Sequence, residues 1–123
     1  MILTKRKSLK ITAELWRYIA EGGQKLRWDG WLTYGHMKLE CPLCEYNQRN
    51  YKRIAGVSAC AACPLLGKWN GREHCFDKGS PFELWGFASL NSHERKHQAL
   101  HMVELCELEL ERLRRERENA SLC

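Results

Sequence analysis

Two pairs of cysteines constrain this chain more than any other feature of its sequence. Cys41 and Cys44 form one C-x-x-C element, Cys60 and Cys63 form a second, and fifteen residues separate the two. Two residues between cysteines let one tight turn direct both sulfur atoms at a single ion, and two such turns complete a tetrahedron. This is the spacing of a structural zinc site. We therefore predict one Zn²⁺ ion, held by Cys41, Cys44, Cys60 and Cys63.

Three further cysteines widen the choice of ligands. Cys75 is a candidate to replace one of the four, and His74 is a weaker candidate. Cys106 lies in an apolar helical pattern and is assigned to the core, whereas Cys123 is assigned to an exposed tail. The alternative to a zinc site is that these cysteines are reduced core thiols or that one pair of them is redox-active. Because four thiolates leave no open coordination position, the ion is expected to stabilise the fold without catalysing a reaction.

Composition and charge indicate one globular, intracellular domain. The chain has 123 residues, of which 44% are hydrophobic and 28% are charged, and its formal net charge is +5. The N-terminal residues contain no apolar run typical of a signal peptide, and no stretch is long and apolar enough to span a membrane. We expect a cytoplasmic protein that does not bind membranes. In such a reducing compartment, metal binding or thiols are favoured over disulfides.

The patterns of apolar residues predict an α-rich fold with minor β structure and a small, zinc-stabilised, loop-rich centre. Residues 1–10 are predicted to be a basic flexible arm, and residues 11–123 a single domain. A short N-terminal helix is expected from Thr12, its capping residue, to Gly22. Asp29-Gly30 predicts a hairpin turn between Trp28 and Trp31. Residues 42–53 are predicted to form another short helix, since proline suits a first helical turn.

A long amphipathic helix is predicted over residues 91–118. Its apolar positions alternate at spacings of four and three, a coiled-coil-like seam. The seam consists of Ala99, Val103, Cys106, Leu110 and Leu113. Such a helix could pack on its own domain, fill a groove in a partner, or form a homodimer.

The same helix contains the zinc-metalloprotease pattern H-E-x-x-H. His93, Glu94 and His97 match the pattern, and His101 follows one turn later. The middle residues of a buried catalytic helix are normally uncharged, but here they are Arg95 and Lys96. We predict a solvated helix face and no enzymatic activity, with a metallohydrolase as a remote alternative. Whether the histidines bind a second ion stays open.

Two sets of residues are candidates for binding a partner. Tryptophan is enriched at binding hot spots, and Trp69, in the loop KWNGR with Arg72, is predicted to be an exposed contact. A nucleic-acid partner is the alternative. It would use Arg49, Lys52 and Arg53 near the zinc element to contact phosphate, with Tyr46 and Tyr51 stacking on bases. The basic residues before position 11 could contribute to the same binding.

Several motifs resemble those of small, cysteine-rich phage and prophage proteins. They are Cys41-Pro42-Leu43-Cys44, the segment CAACPL at 60–65, Cys75, the segment SPFELW at 80–85, and ITAELW at 11–16. The resemblance implies a zinc-binding protein expressed in the cytoplasm of a bacterial host. It also implies a host protein as the partner, including defence complexes such as CRISPR effectors, which the protein would inhibit or redirect. We accordingly expect a non-enzymatic interaction protein, with nucleic-acid binding as the alternative.

Overall fold

Helices account for most of the structure, a computed structural model that describes residues 1–51 and 59–121. The α-helices are α1 (Lys5–Ala20), α2 (Gly30–Tyr34), α3 (Pro42–Asn50), α4 (Pro81–Phe87) and α5 (His93–Ser121). Single 3-10 turns lie at Lys25–Arg27 and Lys38–Glu40. Within the described ranges, the β structure is one isolated antiparallel bridge between Trp69 and Arg72. The predicted α-rich fold is confirmed.

Residues 5–10 belong to α1, so the predicted flexible arm over residues 1–10 is wrong for that part. Thr4 caps the helix, because its hydroxyl oxygen accepts a hydrogen bond from the backbone N–H of Lys7 at 3.1 Å. Leu9 is fully buried. Thr12 is not a cap; it lies inside the helix, where its hydroxyl donates to the Ser8 carbonyl at 2.7 Å. The apolar stripe of α1 starts well before Thr12, but basic residues surround its first positions in the sequence.

The long C-terminal helix is present, and it packs on the same domain. α5 lies against α1 and α4, and the seam residues Ala99, Val103 and Cys106 are buried. Ser92 caps the helix, accepting a hydrogen bond from the Arg95 backbone N–H at 3.1 Å. Since the seam contacts the domain itself, a homodimer formed through it would first have to displace α1.

The predicted hairpin at Asp29-Gly30 is wrong, since helical turns replace it. Trp31 and Leu32 donate backbone hydrogen bonds to residues three positions earlier, at 3.2 and 2.9 Å. The indole N–H of Trp31 donates to the Lys25 carbonyl at 2.9 Å, which holds the ring against the preceding 3-10 turn. Trp28 and Trp31 therefore pack against each other within a helical conformation.

A hairpin-like turn instead joins Trp69 to Arg72. Asn70 and Gly71 both have positive φ, 54° and 84°, as a type I′ turn requires. The flanking backbone hydrogen bonds measure 3.1 and 3.2 Å. In the part of the chain that the structure describes, no helix is both long enough and apolar enough to cross a bilayer.

Candidate metal centre

All five central cysteines line one cavity of about 220 Å³, here named the cysteine cavity. Its other lining residues include Trp69, His74, Phe76, Phe82 and Met102. The described cysteines are reduced thiols. The structure therefore brings together both predicted C-x-x-C elements and also Cys75.

The first pair lies at the start of α3. Cys41 is the extended residue before the helix, and Pro42 occupies the first helical turn, where its missing N–H leaves no bond unmade. Leu39 and Glu40, directly before Cys41, have left-handed backbones with φ of 56° and 48°. A non-glycine residue in this region costs about 1 to 2 kcal/mol. This strained turn directs the chain into α3 and brings Cys41 to the cavity.

Asn47 of α3 fastens the second cysteine pair to the first. Its side-chain oxygen accepts from the Ala62 backbone N–H, and its amide donates to the Ala59 carbonyl, both at 2.8 Å. Within the second pair, the N–H of Cys63 donates to the Cys60 carbonyl at 2.9 Å. Asn47 could not be singled out from the sequence, because one polar residue in a short helix is unremarkable.

Cys75 is held by a separate turn. The carboxylate of Asp77 accepts a hydrogen bond from the backbone N–H of His74 at 2.9 Å. The hydroxyl of Ser80 donates to the Cys75 carbonyl and also caps α4, accepting from the Glu83 N–H at 3.2 Å. Cys75 is thus fixed relative to α4, and it enters the cavity as a full alternative to Cys60.

Burial raises the pKa of most thiols in this cluster. It raises the pKa of Cys63 to about 12 and that of Cys75 to about 11, and neighbouring sulfur atoms add to both shifts. The thiol of Cys44 donates a hydrogen bond to Cys41, which lowers the pKa of Cys41 and raises that of Cys44. Burial also raises the pKa of Cys60, helped by the nearby carboxylates of Asp77 and Glu73. Negative charge on several of these sulfurs is therefore unfavourable without a cation.

The described thiols share a cavity, but they are not arranged around a common metal position. Across residues 1–51 and 59–121, no three or more His, Cys, Asp or Glu side chains are arranged to hold an ion. The donor chemistry nevertheless suits zinc, since soft thiolate ligands select Zn²⁺ over harder cations. Cys106 is not among the residues that line the cavity; it is buried in the core as predicted, and burial together with the nearby sulfurs of Cys41 and Cys63 raises its pKa.

Among the predicted partner-binding residues that the structure describes, Arg49 and Arg72 are exposed but Trp69 is buried. Trp69 is only 2% exposed and lines the cysteine cavity, so its prediction as a surface contact is wrong. The indole packs into the core because the turn at Asn70 and Gly71 folds the loop back. Arg49 pairs with Glu45 at 2.9 Å, and Arg72 donates to the carbonyls of Asn70 and Lys78 at 2.8 and 3.1 Å. Lys52 and Arg53 lie outside the described residues.

The histidine motif lies on the surface of α5. His93 and His97 are exposed and His101 is half-buried. The carboxylate of Glu94, the general base in the metalloprotease pattern, accepts a hydrogen bond from the Gln98 amide at 2.8 Å. The residues have the exposure expected of a solvated helix face.

Sequence reasoning missed an apolar patch on and after α4, here named the α4 surface. It consists of Leu84, Phe87 and Leu90, with exposures of 37%, 84% and 78%. The available signal was an apolar segment, PFELWGF, too rich in large side chains for one short helix to bury. Beside it lies a groove of about 700 Å³. Leu90 lines this groove together with Leu26, Trp85, Lys25 and Lys96.

Comparison with known proteins gave no match to a protein-family model, to a curated protein or to a solved structure. The resemblance to small phage proteins therefore stays a prediction.

Proposed function

We propose that this chain is a non-enzymatic interaction protein whose cysteine-rich centre is stabilised by one zinc ion. The observation that carries the proposal is the cysteine cavity, in which five thiols from three chain segments share one space of about 220 Å³. Five cysteines meeting in one cavity are better explained by a shared ion than by separate packing roles. A structural zinc site also matches the double C-x-x-C spacing.

A zinc ion would offset the electrostatic cost of ionising several neighbouring thiols. Burial and mutual repulsion oppose ionisation of these sulfurs, whereas a coordinated thiol is deprotonated outright by the cation. Tetrahedral zinc holds sulfur at about 2.3 Å, so the cysteine-bearing turns have to close around the ion. Binding is therefore expected to be coupled to ordering of the centre.

Four thiolates give a closed coordination sphere, which supports a structural role. Cys41, Cys44, Cys60 and Cys63 form the predicted ligand set, and Cys75 is a candidate to replace one of them. Cys75 has the firmer backbone support, through Ser80 and Asp77. Cys60 completes the C-x-x-C spacing.

A competitive zinc titration against a chromophoric chelator separates these ligand sets. Single Cys→Ser variants at positions 41, 44, 60, 63 and 75 are compared with Cys106→Ser, which leaves the cavity lining intact. Zinc affinity should fall by at least about tenfold in four of the five variants and stay unchanged in Cys106→Ser. Equal affinity in all six variants would contradict the zinc site.

The α4 surface supports a protein as the partner. Neighbouring apolar side chains with such high exposure are typical of contact sites. The adjoining groove adds Leu26, and Lys96 is among its lining residues. We infer a host protein, in the cytoplasm of a bacterial cell, that presents apolar side chains flanked by carboxylates.

Partner binding is tested by affinity capture with matched variants. Phe87→Asp places a charge in the α4 surface, and Leu32→Asp makes the same change at a residue that is 90% exposed on α2. A stoichiometric protein partner that is lost with Phe87→Asp and retained with Leu32→Asp supports the proposal. A partner retained by both variants places the contact elsewhere and contradicts it.

A further inference from the structure

A second groove, strongly basic, lies between the start of α1 and the end of α5. Its volume is about 640 Å³. Five cationic side chains from the two helices line it, and we name it the basic groove: Lys5, Arg6, Lys7, Lys10 and Arg117. Because α5 packs antiparallel to α1, the end of α5 lies beside the start of α1, and residues far apart in the sequence line the same groove.

Of the five cations of this groove, Arg6, Lys7 and Lys10 are not neutralised by an ion pair in the described ranges, whereas Lys5 lies 4.0 Å from the Glu109 carboxylate and Arg117 already has a partner. Arg112, Arg114 and Arg115 of α5 are each paired with a glutamate on the same helix, at 3.1 Å or less. By contrast, the side chains of Arg6 and Lys7 make no ion pair with any carboxylate in the described ranges, and neither does Lys10. All three are exposed. The positive potential of the groove is therefore available to an anionic ligand.

The apolar lining of the groove, formed by Ile11, Tyr34 and half-buried Leu110, leaves little open surface for a protein side chain. Ile11 is only 1% exposed. Tyr34 is already engaged, because its hydroxyl donates to the Glu14 carboxylate at 2.8 Å. A protein partner gains most of its binding energy by inserting large side chains into pockets. A phosphate backbone requires only positioned cations.

We propose that the basic groove binds the phosphodiester backbone of a nucleic acid without reading its base sequence. Arg6, Lys7 and Lys10, the three cations of the groove without an ion pair in the described ranges, contact the phosphates from α1. Toward the middle of α1 the surface becomes neutral, because Arg17 pairs with Glu107 and Arg114 with Glu111. The contact is thus short, covering only a few phosphates.

This activity is separate from the proposed zinc site and protein contact. The groove beside the α4 surface is lined by the last residues of α1 and the first residues of α5. The basic groove lies at the other ends of both helices. A protein and a nucleic acid could therefore be bound at the same time.

Fluorescence anisotropy of the full chain tests the proposal with two labelled probes. One is a DNA duplex of about 20 base pairs and the other a single-stranded RNA of about 20 nucleotides, each titrated between about 50 and 200 mM salt. Three phosphate contacts predict a slope of log K against log salt of about −2 to −3. The probe that binds more tightly identifies the type of nucleic acid.

The double variant Lys7→Gln/Lys10→Gln should make that slope shallower by about 1.8. The control Arg27→Gln/Lys78→Gln removes the same charge from exposed sites outside the groove and should leave the slope unchanged. Circular dichroism checks that both variants are folded.

Three results would overturn the proposal. The first is no binding of either probe at the lowest salt concentration. The second is an equal loss of slope in the control variant. The third is binding of polyglutamate as tight as that of the nucleic acids, because an acidic polypeptide would then serve equally well.

Discussion

At the residue scale, the buried carboxylate of Glu109 joins three parts of the chain. Its side chain is only 2% exposed. It accepts two hydrogen bonds from Arg112, at 2.5 and 3.0 Å, and lies 3.8 Å from Lys68 and 4.0 Å from Lys5. α1, the loop after Cys63 and α5 therefore share one anion. The sequence could not reveal this, because Glu109 stands in a run of charged residues that is typical of solvated helix.

Glu109→Gln should lower the free energy of unfolding by about 1 to 3 kcal/mol. The substitution keeps the shape of the side chain, but it removes the charge and directs amide N–H groups toward cations. The control is Glu111→Gln, whose pairs with Arg114 and Arg115 are exposed and screened by solvent, so its loss of stability should be much smaller. Urea unfolding of both variants measures the difference. Equal losses would show that Glu109 is not the connection described.

Leu39→Gly should leave stability unchanged or raise it by up to about 1 kcal/mol, because glycine removes the left-handed strain before Cys41. Leu32→Gly serves as the matched control. Leu32 is also highly exposed, but it lies in α2, so glycine should cost about 1 kcal/mol there. Thermal unfolding compares the two. If both substitutions are equally destabilising, the left-handed conformation of Leu39 is wrong.

At the scale of elements, the strength of the local pattern decided which predictions succeeded. α5 was predicted nearly in full, since its apolar residues keep a helical spacing over many turns. The start of α1 was missed because lysines and arginines surround its buried Leu9. The hairpin at Asp29-Gly30 failed because a two-residue turn signal cannot outweigh helical packing of the adjoining tryptophans. The same kind of two-residue signal occurs at Asn70-Gly71, where both residues have positive φ and the chain does turn.

Two glycine substitutions test this description of the elements. Gly86 lies in α4 with no atom within 4 Å of an added Cβ, so Gly86→Ala should stabilise the protein by about 0.5 to 1 kcal/mol. Gly71 has equally open space but a φ of +84°, so Gly71→Ala should destabilise it by about 1 kcal/mol. Opposite shifts in melting temperature are expected. Shifts of the same sign would contradict the backbone conformation of one of the two.

At the scale of the whole molecule, a helical core and a cysteine-rich centre have different origins of stability. Trp16, Leu9 and Met102 are buried with other apolar residues of α1 and α5. The centre depends on turns, on Asn47 and, we propose, on zinc. The spacing of the cysteines was enough to predict which residues would meet. It could not predict that Trp69 would be buried beside them, because burial of a loop side chain depends on the path of the whole chain.

This division predicts how zinc affects backbone protection. Amides near Cys63 and Cys75 should exchange more slowly with zinc bound, because the turns close around the ion. Amides in the middle of α1 and α5 should change little, since apolar contacts already protect them. Hydrogen exchange of zinc-loaded and chelator-treated protein measures both regions. Equal changes throughout the chain would contradict a core that is stable by itself.

The most direct test of the zinc centre is native mass spectrometry of tag-free protein purified under reducing conditions, with the metal identified by elemental analysis. One zinc ion per chain is predicted for the unmodified protein and for Cys106→Ser, and none for Cys41→Ser. Protein that is folded, reduced and metal-free even after incubation with zinc would contradict the central claim, and the five cysteines would then be thiols that only share a cavity.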